Sequence, residues 1–442
     1  MARLLVHHDG GPLTGTLRLD GAKHAFAHSL ACAAAADDIE LHRVPAHLDA
    51  AALISTLELM FDEVRHDFST GLLIARAPRR RPVITVDAAL AARSRSIFGL
   101  LPALLHRAGQ VVVEAPPAGC AIGRRPWNWY IETLSWFGVR HAEDAGRLVL
   151  SWPERRPAEV RFAYPSMTGT VVAVAAAALT PGTSLVVNGS VEPSVSEQTR
   201  CLTAMGGDVR GGTPTVEITG ALAYDRCRWS VAPDRIHAVT YLTAGLLSRG
   251  EVTVEADQDI KIPQFIRFLE AAGADVRNTG KSVSAGLPSG DGELAPVDLS
   301  VGSEPAFSSD WGAFAMLLLA ARSHGLSRLV DDVFLDRFQF ARSLEPYGLL
   351  SPVLHRIKHR GRAATEAVVT GRPRLHLRGG TVRHCPDIRG SAALLLAGLL
   401  ADGPWILDDD YQVRRGYAAI QNDLRQLGVR RVVRSEASGR SS

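Results

Sequence analysis

Cysteine is scarce: there are five in 442 residues, an odd number. That excludes a disulfide scaffold and makes reduced thiols in a cytoplasmic setting the expectation. Lysine is scarcer still. Only Lys23, Lys261, Lys281 and Lys358 occur among 49 basic residues, so a lysine kept in so arginine-rich a chain points to a specific task. An excess of one charge is missing too, since 49 basic and 46 acidic residues leave +3. Nucleic-acid binders concentrate their basic residues in dense patches, so no nucleic-acid partner is expected. No apolar run reaches the ~18 residues of a membrane helix. The longest candidates, Val171–Leu179 and Ala392–Ala401, are about half that, so no membrane partner is expected. Met1–Asp9 has no long apolar stretch, so no secretory signal is expected. No Walker loop and no Cys-x-x-Cys pair occurs, and neither a metal nor a cofactor is expected.

What is present is ordinary globular composition, 46% hydrophobic and 21% charged. The length is roughly three times that of a typical domain, which predicts at least two cores. Six segments share one plan: a short strand, an Ala/Leu-rich helix, a Gly or Asp turn, a Val-rich strand, an amphipathic helix, and a last strand after Gly. The helix-to-strand passages are Ala34–Leu41, Leu105–Val113, Ala178–Val187, Leu247–Val254, Ala321–Val330 and Leu400–Leu407. A Gly after a helix fits a left-handed C-cap. The second helices are expected to end at Phe61, Phe137-Gly138, Met205-Gly206, Ala272-Gly273, Tyr347-Gly348 and Leu427-Gly428. A unit with two helices and several strands can build a layered core, so six units predict two halves of three.

Several motifs can carry chemistry. Lys23 follows Gly21-Ala22 at a predicted helix start, where free N–H groups and the helix dipole favour anions. A solvated surface lysine is the plain alternative. Cys120 lies in the small-residue loop Pro117–Pro126 beside Arg124-Arg125, and nearby positive charge activates a thiol. It reads equally as a reactive thiol or a spectator, whereas Cys32 and Cys201 read as core. Asp310 precedes the predicted helix Ala313–Ala321 and fits an N-cap better than a general base. Arg389 and Arg415 are expected at helix starts, where the dipole disfavours a cation unless an anionic ligand compensates.

Together these motifs resemble the enolpyruvyl transferases, most closely the UDP-N-acetylglucosamine 1-carboxyvinyltransferases (the MurA family, of the EPSP synthase fold). The family's Gly-Ala-Lys-Asn stands as Gly21-Ala22-Lys23-His24, and its loop Gly-Cys-x-Ile-Gly-x-Arg-Pro is complete from Gly119 to Pro126. Pro-Asp-Arg-Ile-Glu stands as Pro233 to His237, and Thr-Asp-Met-Gln as Ser309 to Gly312. Val-Phe-Glu-Asn-Arg-Phe stands as Val333 to Phe338. Asp-Leu-Arg-Ala-Ser stands as Asp387 to Ser391, and Asp-Arg-Gly-Tyr as Arg414 to Tyr417. The match runs in order from about residue 10 to 433.

The resemblance implies a two-domain inside-out α/β barrel of six repeats, three per domain. Residues 1–21 with 232–442 form one domain; residues 22–231, with the Cys120 lid loop, form the other. It implies an enzyme that moves the enolpyruvyl group of phosphoenolpyruvate to a uridine nucleotide and releases phosphate. Cys120, Asp310 and Lys23 are then catalytic, with Cys120 as acid and Asp310 as base. Lys23, Arg125, Asp387, Arg389 and Arg415 bind phosphoenolpyruvate. The acceptor falls to His24, Arg95, Pro126, Trp127, Asn128, Ser166, Met167, Thr168, Asp310, Val333 and Arg337. The oligomeric state stays open.

Departures from the family pattern gather on the acceptor side. His24 replaces Asn, Trp127-Asn128-Trp129-Tyr130 replaces Val-Asp-Leu-His, and Trp311-Gly312 replaces Met-Gln. Leu335 and Arg414 replace acidic or amide residues. The expectation is a changed acceptor, with Trp127, Trp129 and Trp311 offering indole faces to a base. The model for this is the UMP 3′-enolpyruvyl transferase of nikkomycin- and polyoxin-type antibiotic pathways. The alternatives are a cell-wall UDP-N-acetylglucosamine enzyme and a catalytically silent, nucleotide-binding regulatory paralogue.

Overall fold

A computed structural model describes residues 2–116, 119–122, 128–288 and 292–436. The chain forms two compact units. The first comprises Met1–Leu19, Cys120–Arg124 and Pro233–Ser442; the second comprises Asp20–Gly119 and Arg125–Ala232. Two strand pairings explain these boundaries. Gly15–Arg18 runs parallel to Val252–Glu255, with Leu17 opposite Val254, which ties the N-terminal segment to the first unit. Tyr224–Ser230 runs parallel to Ala36–His42, with Cys227 opposite Ile39, which closes the second. The Cys120 loop was expected with the middle segment. Instead the Ala121 N–H donates to Pro386 O at 3.1 Å and the Asp336 N–H to Ile122 O at 3.2 Å, which holds it in the first unit.

Each unit follows from two kinds of helix. Met167–Ala178 reads MTGTVVAVAAAA, apolar on every side, and a helix of that kind is buried all round. Arg235–Leu247, Gly312–Arg322 and Ile388–Ala397 are buried at every residue. These three pack on one another inside the first unit, as Lys23–Ala33, Leu101–Ala108 and Met167–Ala178 do inside the second. Pro263–Ala271 is the other kind: only Phe265, Ile266, Phe268 and Leu269 are buried, one face of a helix. Among the described residues six sheets lie outside the helices, five of four strands and one of five. The arrangement is an inside-out α/β barrel: helices at the centre, sheets around them. The five-stranded sheet carries the long hairpin Val353–His359 and Arg362–Thr370.

The second helices end near the expected places with one exception. Leu48–Leu57 stops short, and Phe61 opens the strand Phe61–Asp67. Gly138, Gly206, Gly273, Gly348 and Gly428 all have φ between 84° and 114°, the left-handed region their turns need. In the passage Leu247–Val254 the left-handed residue is Arg249, with φ 61°, not Gly250. Gly250 is required for space: a Cβ there would lie 1.9 Å from Leu13 O.

Candidate active site

In the first unit, Asp310 lies in the single 3-10 turn Ser309–Trp311, just before the helix Gly312–Arg322. The cap position of that helix is Trp311, and no side chain caps it. The N-cap expectation for Asp310 is therefore overturned. Its carboxylate instead receives two guanidinium groups. Arg337 Nη1 donates to Oδ1, and Arg389 Nη2 donates to Oδ2 at 3.4 Å. A carboxylate offers about four lone-pair sites, so donors beyond two arginines can still bond to it.

Arg337 and Arg389 are both buried. Burial pulls each guanidinium pKa down, but nearby carboxylates more than offset it: Asp387 and Asp310 around Arg337, Asp310 foremost around Arg389. Both pKa values end above the ordinary arginine value. Asp387 caps the helix Ile388–Ala397 by accepting from the Gly390 N–H at 2.9 Å. Its Oδ2 lies 4.0 Å from Arg337 Nε. Arg337 also lies 4.5 Å from the centre of the Phe334 ring, and Val333 is half-buried in the adjoining loop.

Arg415 does not open a helix. It is the C-cap of the short helix Tyr411–Arg414, where the dipole favours a cation. The dipole argument for an anion at Arg415 therefore falls, while Arg389 does stand in a first turn, as expected. Arg415 Nη1 donates to Gln412 Oε1 at 3.1 Å and lies 3.9 Å from Cys120 Sγ. Gly416 is a close approach: a Cβ there would meet Ile388 at 2.7 Å and Arg389 Nη1 at 3.2 Å. His237 Nε2 bonds to Gly416 O at 2.8 Å, and its ring stacks on Tyr417 at 4.7 Å. Tyr417 bonds Thr240 Oγ1 at 2.9 Å, and burial pushes its phenol up to about 12. Cys120, Asp310, Val333, Arg337, Asp387, Arg389 and Arg415 thus all fall in one unit, and Arg415 lies beside Cys120.

In the second unit, Lys23 opens the helix Lys23–Ala33, whose cap residue Ala22 has no side-chain acceptor. Lys23 is buried, and its Nζ lies 2.5 Å from Asp49 Oδ2 in the first turn of Leu48–Leu57. A surface lysine is excluded. His24 is half-buried, its ring stacked 5.9 Å from His28. Two histidines four apart on a helix can hold a metal. Among the described residues, however, no group of three or more His, Cys, Asp or Glu is placed to do so. Arg95 stands 5.5 Å over the Tyr130 ring. Ser166 caps the helix Met167–Ala178 through the Gly169 N–H at 3.1 Å, with Met167 and Thr168 half-buried in its first turn. Asn128 is exposed and donates to Glu132 at 2.6 Å. Arg125, Pro126 and Trp127 lie outside the described residues.

One expectation on the acceptor side fails outright. Trp311 is fully buried among Phe265, Phe307 and the guanidinium of Arg235 at 4.6 Å, so its indole offers no face to a base. Trp129 is half-buried on the helix Asn128–Trp136. Two partners of the expected site residues were missed in the sequence: Asp49, which pairs with Lys23, and Asp331, which accepts from the Val333 N–H. Asp331 ends the strand Leu326–Asp331 and accepts from the N–H groups two and three residues on. An Asp at a strand end before a loop is the signal for such a turn.

The sequence profile of EPSP synthase (3-phosphoshikimate 1-carboxyvinyltransferase) matches residues 8–424. A UDP-N-acetylglucosamine 1-carboxyvinyltransferase of Koribacter versatilis is 31% identical over 433 residues, 96% of this chain and 95% of that protein. A second, of Symbiobacterium thermophilum, is 32% identical over 426 residues, 95% of this chain and 92% of the relative. Among solved structures, the enolpyruvyl transferase NikO of Streptomyces tendae superposes with TM-score 0.84 at 23% identity, covering 99% of this chain and 100% of its own. EPSP synthase of Acinetobacter baumannii does so with TM-score 0.71 at 15% identity and the same coverage. Both share this fold.

Proposed function

This chain belongs to the EPSP synthase family of enolpyruvyl transferases, and from that premise we propose that it transfers the enolpyruvyl group of phosphoenolpyruvate to the 3′-hydroxyl of UMP. Asp310 takes the proton from the attacking hydroxyl. The hydroxyl oxygen bonds to the central carbon of phosphoenolpyruvate while Cys120 protonates its terminal carbon. Loss of phosphate and of one proton from that carbon then restores the vinyl group. Arg389, Arg415, Lys23 and Arg125 hold the anionic donor by charge-assisted bonds, and Asp387 fixes the first turn in which Arg389 stands. The observation that carries the base role is Asp310 between Arg337 and Arg389.

The acceptor assignment rests on His24. The family motif has an amide there, and leaving a sugar's polar groups without that partner is costly. His24 instead stacks on His28, next to the lysine. A second reading is transfer to UDP-N-acetylglucosamine. It is favoured by relatives of that name at 31–32% identity over nearly the whole chain. Mass spectrometry of the nucleotide after incubation with phosphoenolpyruvate tests the proposal. The expected product is UMP carrying one enolpyruvyl group on its ribose. Modification of UDP-N-acetylglucosamine alone would return the protein to the second reading.

A further inference from the structure

We infer that Asp331 is a positioning residue for Asp310, setting the catalytic turn and the acceptor loop from one buried carboxylate. The inference rests on the base role proposed above for Asp310. Asp331 is wholly buried at the end of the strand Leu326–Asp331, with Val301 and Thr365 opposite it on the two neighbouring strands. It is therefore fixed to the interior of the five-stranded sheet. Its Oδ2 accepts from the Ser309 hydroxyl at 2.5 Å. Ser309 is the first residue of the turn that carries Asp310. Asp331 Oδ1 accepts from the Val333 N–H at 2.8 Å and the Phe334 N–H at 3.0 Å. The Phe334 ring in turn lies against the Arg337 guanidinium, which pairs with Asp310.

These contacts form a closed circuit. From Asp331 one arm runs through Ser309 to the turn of Asp310. The other runs through Val333 and Phe334 to Arg337, which pairs with Asp310. A buried carboxylate is tolerated only when its lone pairs are satisfied, and here three donors from two segments do so. A mere core aspartate needs no such division of labour. Misplacing a catalytic group by about 1 Å can cost on the order of 100-fold in rate, so the circuit has kinetic weight.

The test compares Asp331→Ala, Asp331→Asn, Ser309→Ala and Asp310→Asn with the unmodified enzyme by steady-state phosphate release. Asp331→Ala is expected to lower kcat by about 10- to 100-fold and raise the acceptor KM, while the KM for phosphoenolpyruvate stays put. Asp331→Asn keeps an oxygen for the two N–H groups and an amide for Ser309, so it restores most of kcat. Ser309→Ala cuts only the turn arm, so kcat falls and the acceptor KM does not move. A wild-type kcat in Asp310→Asn would remove the base role itself. If Asp310→Asn is inactive while folded Asp331→Ala keeps wild-type kcat and acceptor KM, the positioning inference is wrong. Should Asp331→Ala not fold, Ser309→Ala decides: an unchanged kcat overturns the inference.

Discussion

Cys120 is the only half-buried thiol of the five; the other four are buried. Burial pushes Cys32 and Cys385 up to about 12, and contact with Cys227 at 3.6 Å raises Cys201. Thiolates, not thiols, are the nucleophiles, so fosfomycin, an epoxide analogue of phosphoenolpyruvate, should alkylate Cys120 alone. Peptide mapping checks this; label on Cys385 or Cys32 with Cys120 untouched would remove the thiol from the chemistry. Arg415 should act on the donor. Charge-assisted bonds are worth about 1.5–3 kcal/mol, so Arg415→Ala should cut kcat/KM for phosphoenolpyruvate by roughly one to two decades. Unchanged kinetics would make it structural only. At this scale the motifs singled out Cys120, Asp310, Arg389 and Arg415, and the structure puts Asp310 against Arg389 and Arg415 beside Cys120. Their partners were not. Asp49 meets Lys23 from 26 positions away and Asp331 meets Ser309 from 22, and no local spacing announces such contacts.

At the scale of elements, helices that are apolar all round declare their burial in composition, which is why the central helices were readable. Their ends were less so, because tertiary contacts decide them. Arg107 and Arg322 are buried guanidinium groups that donate to carbonyls at helix ends, Arg107 to Ala34 O at 3.5 Å, the C-cap of Lys23–Ala33, and Arg322 to Leu247 O. Each does in its own unit what no capping signal predicts. The helix Lys23–Ala33 also carries a pH dependence. Burial, with His24 adding to it, pulls His28 down to about 3 from 6.5. The folded pKa is therefore below the unfolded one, and the unfolded chain takes up the proton first. Stability is full above about pH 6.5 and falls as pH drops toward 3, by up to about 1.4 kcal/mol per pH unit. Denaturant titrations between pH 7.5 and 4.5 should show that loss, and His28→Gln should lessen it, leaving the share of His106, which burial also pulls down to about 3. Parallel curves for the two proteins would refute the assignment.

On the scale of the whole molecule, the six-fold recurrence of helix, Gly turn and Val-rich strand makes the two-unit fold readable in the sequence. Each repeat has to bury the same kind of helix, so its composition repeats. Acceptor choice has no such redundancy. It depends on a few side chains, and Trp311 shows how a residue's type can mislead when its neighbours bury it. Among the described residues no helix is long and apolar enough to cross a membrane. The proposed enolpyruvyl transfer to UMP is tested by phosphate release from phosphoenolpyruvate, with UMP and UDP-N-acetylglucosamine as separate acceptors. UMP is predicted to be used with a kcat/KM at least ~100-fold higher, the scale of about 3 kcal/mol. Efficient turnover of UDP-N-acetylglucosamine, with none of UMP, would contradict it.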